Sequence, residues 1–322
     1  MFNQKFVHST SGQTSRASSF FTFLDLSVST KTMLNASTLR TRDVWAHNLD
    51  EEFAVIREIV STYHFIAMDT EFPGIVRLFC FFYNSLKTFL QVARPVGSFK
   101  QQSEFQYQTL RCNVDMLKLI QLGLTFTDAH GNLPVIDGYH CIWQFNFKEF
   151  SIKDELYAQD SIELLKRSGI DFAVLEERGI DIVQFAERFM ISGVVLNDDV
   201  RWLTFHSSYD FGYLLKLLTN ASLPESEVDF FSLLHCYFPN VFDIKHMVQR
   251  VGIMQGGLNK LAENLRVARI GPQHQAGSDS LLTAHTYFKL QKAHFSTADM
   301  NQFVGVLYGL GQERDLPYFA AE

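Results

Sequence analysis

Cysteine is scarce in this chain of 322 residues, and the four that it contains are scattered. Cys80, Cys112, Cys141 and Cys236 form no CxxC motif and no other paired spacing. A disulfide framework or a cysteine-based zinc site would show such spacing. The pattern therefore argues against both and is typical of a reducing compartment.

The chain also lacks an excess of basic residues. Its formal net charge is −7, which argues against a protein held to nucleic acid mainly by a basic surface. An enzyme that grips a strand locally through metal ions stays compatible with that charge. No apolar run reaches the ~20 residues that span a bilayer. With 47% hydrophobic residues, the chain can bury a full core as one large domain or two small ones.

The stretch Phe65 to Gly74 reads FIAMDTEFPG, a short apolar run that ends in two acids and a turn signal. Side chains alternate along a strand, so Asp69 and Glu71 point to the same face. Neighbouring carboxylates raise each other's pKa unless a cation lies between them. The pair indicates a divalent metal site at the end of a buried strand. The alternatives are a solvated strand edge, or a helix N-cap acid beside a chance neighbour.

Residues 1–42 are rich in Ser, Thr and Phe and carry five basic residues against one acid, Asp25. A basic, acid-poor leader can be an organelle transit peptide. We interpret this one instead as a disordered or spurious extension, with a true start at Met33 as one option. A folded domain is expected over residues 43–310 and a C-terminal tail over 311–322.

Hydrophobic spacing predicts an amphipathic helix of about five turns from Trp45 to Val60, which leads into a strand at Phe65. Further strands are predicted at 117–126, 141–147, 201–205 and 241–244, the first two of which complete an antiparallel meander with short links. Helices are predicted at 161–167, 171–178, 181–191, 210–218, 258–265 and 279–294. Strands and helices mixed in this order, without a repeat or long linker, indicate one mixed α/β domain.

Three glycines follow the predicted helices at 161–167, 171–178 and 181–191. Gly169, Gly179 and Gly193 each stand just after a predicted helix, where a left-handed C-terminal cap favours glycine. The spacing therefore predicts left-handed backbone at all three.

Two more acids stand at predicted strand-to-helix junctions. Asp210 falls in the first turn of a helix, where the helix dipole alone would favour a carboxylate. Asp279 opens the last long helix, and His274 precedes it by five residues in the tight loop GPQHQAG. A lone loop histidine is usually just solvated, whereas one held by a rigid loop ahead of an acid indicates a site.

The acids form an ordered pattern: D-x-E at the end of the first strand, D after the fourth, and H-x4-D before the last helix. This pattern resembles the DEDD superfamily of 3′ to 5′ exonucleases, in the branch with a histidine five residues before the last Asp. Longer segments are similar to the Caf/Pop poly(A) deadenylases, catalytic subunits of the CCR–NOT mRNA deadenylase complex. These segments are AMDTEFPG at 67–74, YQTLRCNVD at 107–115, WQFNF at 143–147, YAQDSI at 157–162, FHSSYDFGY at 205–213 and RIGPQHQAGSD at 269–279.

The resemblance covers about residues 43–75 and 92–310 and implies an α/β, ribonuclease-H-like fold. Its mixed sheet would hold three antiparallel strands and then two further strands, flanked by helices. The implied reaction is hydrolysis at an RNA 3′ end, which releases mononucleotides from a poly(A) tail.

The implied site uses two divalent ions, Mg²⁺ or alternatively Mn²⁺, which neutralise the phosphodiester and need several hard oxygen ligands. Asp69, Glu71, Asp210 and Asp279 are the expected ligands. His274 is the expected general base, since an imidazole suits that task at neutral pH.

Aromatic residues beside these acids have two readings each. Phe72 and Pro73 could form a wall against which a terminal base stacks, or Phe72 could be core. His206 and Tyr209 could line the site or cap the helix. Partners follow only from the resemblance: a NOT-type scaffold, a CCR-type deadenylase subunit and Tob/BTG-type adaptors, in cytoplasm and nucleus.

Residues 76–91 depart from the family pattern. Members run almost directly from the E-F-P-G turn into an A-R-P segment, which here is Ala93-Arg94-Pro95. The intervening segment is apolar and aromatic, so it is either a retained intron translated in frame or a hydrophobic loop for a partner or lid. All four acids and His274 are present, which favours activity. The alternatives are a scaffold subunit whose catalysis this insert impairs, and a DNA-directed exonuclease.

Overall fold

The computed structural model describes residues 37–75, 77–79, 90–92, 102–252, 256–295 and 300–311, with backbone alone for 77–79 and 90–92. These residues belong to the second of two compact units, Leu34–Glu322. Most of the expected extension 1–42, almost all of the tail 311–322 and the side chains of the insert 76–91 lie outside the described residues. Within this part of the chain, no helix is both long and apolar enough to cross a membrane.

A mixed seven-stranded sheet forms the centre of the fold, in the order β1-β7-β5-β2-β8-β9, with the short β6 paired to β7. The pairs β7–β5 and β5–β2 are antiparallel, whereas β1–β7, β2–β8 and β8–β9 are parallel. Two further strands, β3 and β4, pair only with each other. The strands are β1 Leu39–Val44, β2 Phe65–Glu71, β3 Arg77–Phe79, β4 Leu90–Val92, β5 Gln121–Thr127, β6 Val135–Ile136, β7 Tyr139–Asn146, β8 Arg201–Thr204 and β9 Val241–Asp243.

Helices cover both faces of the sheet. They are α1 Leu49–Ile59, α2 Gln102–Met116, α3 Gln159–Arg167, α4 Phe172–Arg178, α5 Ile182–Met190, α6 Ser208–Thr219, α7 Glu227–Tyr237, α8 Ile244–Arg250, α9 Leu258–Asn264 and α10 Ala276–His294, followed by a 3-10 turn at Met300–Phe303. Burial on both faces explains why β2 reads as a continuous apolar run rather than an alternating one. The predicted α/β fold with a mixed, helix-flanked sheet is confirmed.

Strand β2 divides its side chains between two cores. Ile66 and Met68 pack into the larger cluster, which also holds residues of α1, α5 and α6. Phe65 and Ala67 pack into the second cluster, against α10 and the α8–α9 region. Asp69 and Glu71 share the parity of Phe65 and Ala67, so they face α10.

Two predictions about the first half of the fold were wrong. Helix α1 begins at Leu49 rather than Trp45, because the Trp45 N–H donates to Asn48 Oδ1 (2.8 Å) in a turn that holds Trp45 outside the helix. The three antiparallel strands do pair as expected, but their links are not all short. The β2–β5 connection contains α2.

Left-handed caps were predicted at three glycines and occur at two. Gly169 (φ 99°) and Gly193 (φ 83°) adopt the left-handed conformation. Gly179 does not: its φ is −61° and its ψ is 155°. A Cβ there would lie 2.6 Å from the Lys148 amide nitrogen, so Gly179 is required for close backbone approach instead.

Several elements carried no clear sequence signal and were not predicted. They are β1, β3, β4, β6, α2, α7, α8 and the 3-10 turn at Met300–Phe303. Strand β1 begins at Leu39 and pairs in parallel with β7, so the folded sheet includes residues 39–42 of the expected extension. Parallel pairing with a strand about a hundred residues away leaves no local turn signal.

The position of α10 depends on Gly123 of β5. Gly123 pairs directly with Asp69 across the β2–β5 ladder. A Cβ on Gly123 would overlap the backbone carbonyl of Ala276 and lie 2.5 Å from the Gly277 amide nitrogen. The first turn of α10 therefore rests on the sheet directly beside Asp69.

We expect Gly123→Ala to lower the free energy of unfolding by about 1–3 kcal/mol, because the added methyl must displace the start of α10 or β5. Urea unfolding measures the change. Gly257→Ala is the matched control: a methyl group added there would have nothing within 4 Å, and the φ of Gly257 is −89°. Equal stability of Gly123→Ala and wild type would contradict the close approach of α10.

Candidate active site

Asp69 and Glu71 occupy the end of β2 that extends past its pairing with β8. The β2–β8 ladder ends at the pair Ala67–Leu203, while β5 continues alongside β2 to Glu71. The sheet therefore opens between β2 and β8 at the level of the two acids. Both acids are half-buried and face α10.

Asp210 enters this opening from α6. It lies in the first turn of that helix and is 9% exposed. Its Oδ1 accepts two hydrogen bonds from Thr70, one from the backbone N–H (2.9 Å) and one from Oγ1 (2.7 Å). The carboxylate thus binds the backbone of β2 beyond the end of β8. Its partner, Thr70, lies between Asp69 and Glu71 in the sequence.

Asp279 approaches from the other helix, in the first turn of α10. Its Oδ1 accepts from Arg269 Nη2 (2.6 Å), and its Oδ2 accepts from the His274 backbone N–H (2.8 Å). The same guanidinium also donates to Asn259 Oδ1 (2.7 Å) and Ser278 Oγ (3.1 Å). Arg269 therefore ties the His274 loop and the start of α10 to α9.

The sheet itself anchors the first turn of α10. The N-cap residue of this helix, Gln275, makes no side-chain capping hydrogen bond. Its Gly277 N–H donates instead to Gln144 Oε1 of β7 (3.1 Å), and its Ala276 N–H donates to Gln121 Oε1 of β5 (3.4 Å). Both glutamines are buried, so these bonds satisfy helix-end donors that would otherwise be left unpaired.

His274 completes the cluster. Oxygen or nitrogen atoms of Glu71, His274 and Asp279 lie within 4.8 Å of one another. The His274 backbone has a φ of 61°, which is uncommon for a residue with a side chain and costs free energy. The bond from its N–H to Asp279 holds this conformation and turns the residue toward the acids.

The acids perturb one another's ionisation. Burial is the largest cause of a pKa for Asp69 well above its ordinary value, and Asp210, Asp279 and Glu71 raise it further. Burial and then the Asp279 and Asp210 charges raise the pKa of Glu71 to about 8. Burial raises the pKa of Asp210 to about 6 against the opposing effect of the Thr70 hydrogen bonds. Burial thus makes ionisation of these carboxyls costly, and neighbouring negative charges add to that cost.

Aromatic rings lie directly beside the acids. Phe72 stacks on Tyr209 with ring centres 5.5 Å apart and an interplanar angle of 14°. Both are half-buried and pack against the larger core, while Pro73 is buried. Phe72 therefore belongs partly to the core and partly to the surface. His206 is exposed and does not cap α6 with its side chain.

All five predicted site residues thus meet at one place, although Asp210 and Asp279 are separated from β2 by more than a hundred residues of sequence. Thr70 and Arg269 also belong to this site but were not predicted from the sequence. Thr70 lies within the D-x-E motif itself, and Arg269 lies within the segment RIGPQHQAGSD. Their types carried no signal because each acts by bonding to a distant carboxylate or backbone group.

The sequence matches the CAF1 family ribonuclease over residues 44–199 and 190–268. A relative from Arabidopsis thaliana, "Probable CCR4-associated factor 1 homolog 7", is 54% identical over 87% of this chain and 96% of its own length. "Poly(A) ribonuclease pop2" from Schizosaccharomyces pombe is 46% identical over 84% of this chain and 75% of its own length. The chain therefore belongs to the CAF1 ribonuclease family, and the predicted family and enzyme class, a ribonuclease, are confirmed.

Solved structures agree with this membership. S. pombe Pop2p in a form with Mg²⁺ and Mn²⁺ bound matches with a TM-score of 0.75 and 45% identity, over 84% of this chain and 99% of that one. The structure of the yeast NOT1 MIF4G domain co-crystallised with CAF1 gives a match with a TM-score of 0.67 and 35% identity, over 86% of this chain and 99% of that one. The predicted ribonuclease-H-like fold is thereby confirmed.

We expect the metal-free protein to lose stability as pH rises from about 5 to about 8. The unfolded carboxyls ionise near pH 4, whereas Asp210 and Glu71 keep their protons to about 6 and about 8 in the folded protein. The native state then binds more protons than the unfolded state across this range, so the free energy of unfolding falls as pH rises. Urea unfolding in EDTA should record a loss of a few kcal/mol.

Glu71→Gln is the matched comparison, because it removes the group with the pKa of about 8 and keeps its shape. Its stability should fall less than that of wild type over the upper part of the pH range. Wild-type stability that rises steadily to pH 8 in EDTA would contradict the raised pKa values of Glu71 and Asp210.

Proposed function

We propose that this chain is a 3′ to 5′ exoribonuclease that shortens mRNA poly(A) tails and releases mononucleotides. The observation that carries the proposal is the convergence of Asp69, Glu71, Asp210 and Asp279 with His274 where β2 and β8 separate. The name and 46% identity of the S. pombe poly(A) ribonuclease support poly(A) as the substrate.

The residues of the cluster fit divalent metal ions. A bound cation would offset the cost of ionising these buried, clustered carboxyls, and carboxylate oxygens are the ligands that Mg²⁺ and Mn²⁺ prefer. Asp69, Glu71, Asp210 and Asp279 would hold two such ions. The Mg²⁺ and Mn²⁺ bound to S. pombe Pop2p support this assignment. When bound, the ions supply Lewis-acid stabilisation of the phosphodiester and of the leaving oxygen.

His274 serves as the general base in this proposal. Its ring lies among the acids, on a loop that the Asp279 carboxylate holds in place, so it can take a proton from an attacking water. Arg269 positions Asp279 and the loop through its hydrogen bonds. Phe72 and Tyr209 offer a half-exposed aromatic edge beside Glu71 for the terminal base.

The enzyme would act within a CCR–NOT complex in cytoplasm and nucleus, in mRNA turnover and repression. The co-crystal of yeast NOT1 with CAF1 supports a NOT-type scaffold as one partner. A CCR-type deadenylase subunit and Tob/BTG-type adaptors are further proposed partners, which rest on the family alone.

Asp69→Asn should reduce shortening of a 5′-labelled oligo(A) in Mg²⁺ by about a hundredfold or more, because electrostatic stabilisation of the reacting groups is lost at the centre of the cluster. The fold should persist, since Asn keeps the shape and relieves repulsion. The second readout is thermal: Mn²⁺ should raise the Tm of wild type more than that of the variant.

Asp198→Asn is the control, because Asp198 is exposed and lies ahead of the opposite end of β8. It should match wild type in both measurements. Wild-type rates of shortening by Asp69→Asn would refute the role of Asp69, and a full Mn²⁺ shift in that variant would refute its part in metal binding.

Deletion of residues 76–91 tests whether the insert impairs catalysis. We expect the full chain and the deletion variant to shorten oligo(A) at similar rates, because β3 and β4 pair with each other rather than with the central sheet. The rate ratio of the two proteins is the measurement. An inactive full chain with an active deletion variant would instead favour a catalytically impaired scaffold subunit.

A further inference from the structure

A buried carboxylate outside the acid cluster joins three separate segments of the chain. Asp243, at the end of β9, is fully buried. Its Oδ1 accepts from the backbone N–H groups of His206 (2.9 Å) and Lys245 (3.0 Å), and its Oδ2 accepts from the backbone N–H of Tyr308 (2.9 Å). One carboxylate thus brings together the β8–α6 loop, the start of α8 and the loop after the 3-10 turn.

The side chains of those three residues form a contact cluster at the surface. The Lys245 ammonium lies 4.4 Å from the centre of the Tyr308 ring and 3.3 Å from His206 Nδ1. The His206 and Tyr308 rings meet edge to face with centres 5.0 Å apart. His206 is exposed, and Lys245 and Tyr308 are half-buried. We call His206, Lys245 and Tyr308 the Lys245 cluster.

The backbone conformation of His206 indicates that the fold maintains the geometry of this cluster. Its φ is 60°, an unfavourable value for a residue with a side chain. His206 and His274 therefore share one arrangement: each is left-handed, and each donates its backbone N–H to a buried aspartate. One of them faces the acids, and the other faces Lys245.

The Lys245 cluster offers hydrogen-bond donors and positive charge. Among the described residues, Lys245 forms no ion pair within 4.0 Å, and the Asp243 carboxylate accepts from three backbone N–H groups instead. An ammonium only donates, so His206 Nδ1 must accept from it and the proton of a neutral imidazole sits on Nε2. Partial desolvation and the Lys245 charge lower the pKa of His206, which favours that neutral form. Two donors from different side chains then stand together at the surface.

The cluster lies close to the acids. His206 precedes Asp210 by four residues, so their Cα atoms are at most ~14 Å apart. The Ser208 Oγ in the first turn of α6 donates to the Tyr308 carbonyl (3.3 Å), which fixes the Tyr308 loop to the helix that carries Asp210. The Asp243 carboxylate that holds the cluster is also near enough to Asp210 for its charge to raise the pKa of Asp210.

We propose that Lys245 and His206 form a binding subsite for a backbone phosphate of single-stranded RNA, upstream of the bond that is cut, with Tyr308 holding the lysine side chain by a cation–π contact. This inference rests on the proposed function, because it assigns the subsite to the same substrate. It also answers how a chain with a net charge of −7 binds a polyanion: a local cation stands beside the acids instead of a basic surface.

The test compares wild type, Lys245→Met, Lys245→Arg and the control Lys292→Met with oligo(A) and oligo(U). Lys292 is exposed and lies ~20 Å along α10 from Asp279. We expect Lys245→Met to raise KM for oligo(A) roughly tenfold with kcat nearly unchanged, and Lys245→Arg to restore it. The slope of log KM against log salt should fall by ~0.7 in magnitude, the value for one phosphate of a single strand.

Direct binding separates failure of the subsite from failure of the proposed function. Fluorescence anisotropy in EDTA measures labelled oligo(A) and oligo(U), and Lys245→Met should weaken both equally because a phosphate contact is blind to sequence. Binding that depends on Lys245 without shortening would keep the subsite and overturn the proposed function. Shortening by wild type with an unchanged KM and salt slope in Lys245→Met would overturn the subsite and leave the cluster as a surface for a protein. Absence of any RNA binding by wild type would overturn both.

Discussion

Mutual repulsion among carboxylates at one end of β2 is the constraint on which the rest of the structure depends. Asp69 and Glu71 are forced onto one face by strand geometry, and two helices add Asp210 and Asp279 from opposite sides of the sheet. Each helix end is held by groups that bind carboxylate or backbone directly: Thr70 for Asp210, and Arg269 with the buried glutamines for α10. Without such anchors the acids would move apart. Burial, with the neighbouring negative charges in addition, raises the pKa values of Asp69 and Glu71.

Local patterns were enough to predict much of this arrangement. The parity of β2 placed Asp69 and Glu71 on one face, and the turn after β8 placed Asp210 at a helix start. The mixed α/β class followed from the order of strands and helices, and the family followed from segments spread along the chain. The convergence of the acids was predicted from the resemblance to the DEDD exonucleases, because no local pattern brings Asp69, Asp210 and Asp279 together.

What the sequence did not reveal depends on contacts between distant residues. Strand β1 pairs in parallel with β7, and Gly123 is glycine because Ala276 passes directly over it. The sequence alone does not distinguish Arg269 and Asp243 from other charged residues, because their roles depend on their partners. The role of Asp243 in joining three segments has no sequence signal, because its carboxylate accepts from backbone N–H groups. Sequence spacing reports periodicity within an element, whereas these roles arise between elements.

The most direct test of the central claim is anomalous diffraction from crystals of the protein soaked in Mn²⁺. Strong manganese peaks are expected between Asp69, Glu71, Asp210 and Asp279, where the structure concentrates carboxylates. The peaks should weaken or vanish in Asp69→Asn crystals grown the same way. Manganese bound elsewhere, with this carboxylate cluster empty, would contradict the assignment of these four acids as metal ligands.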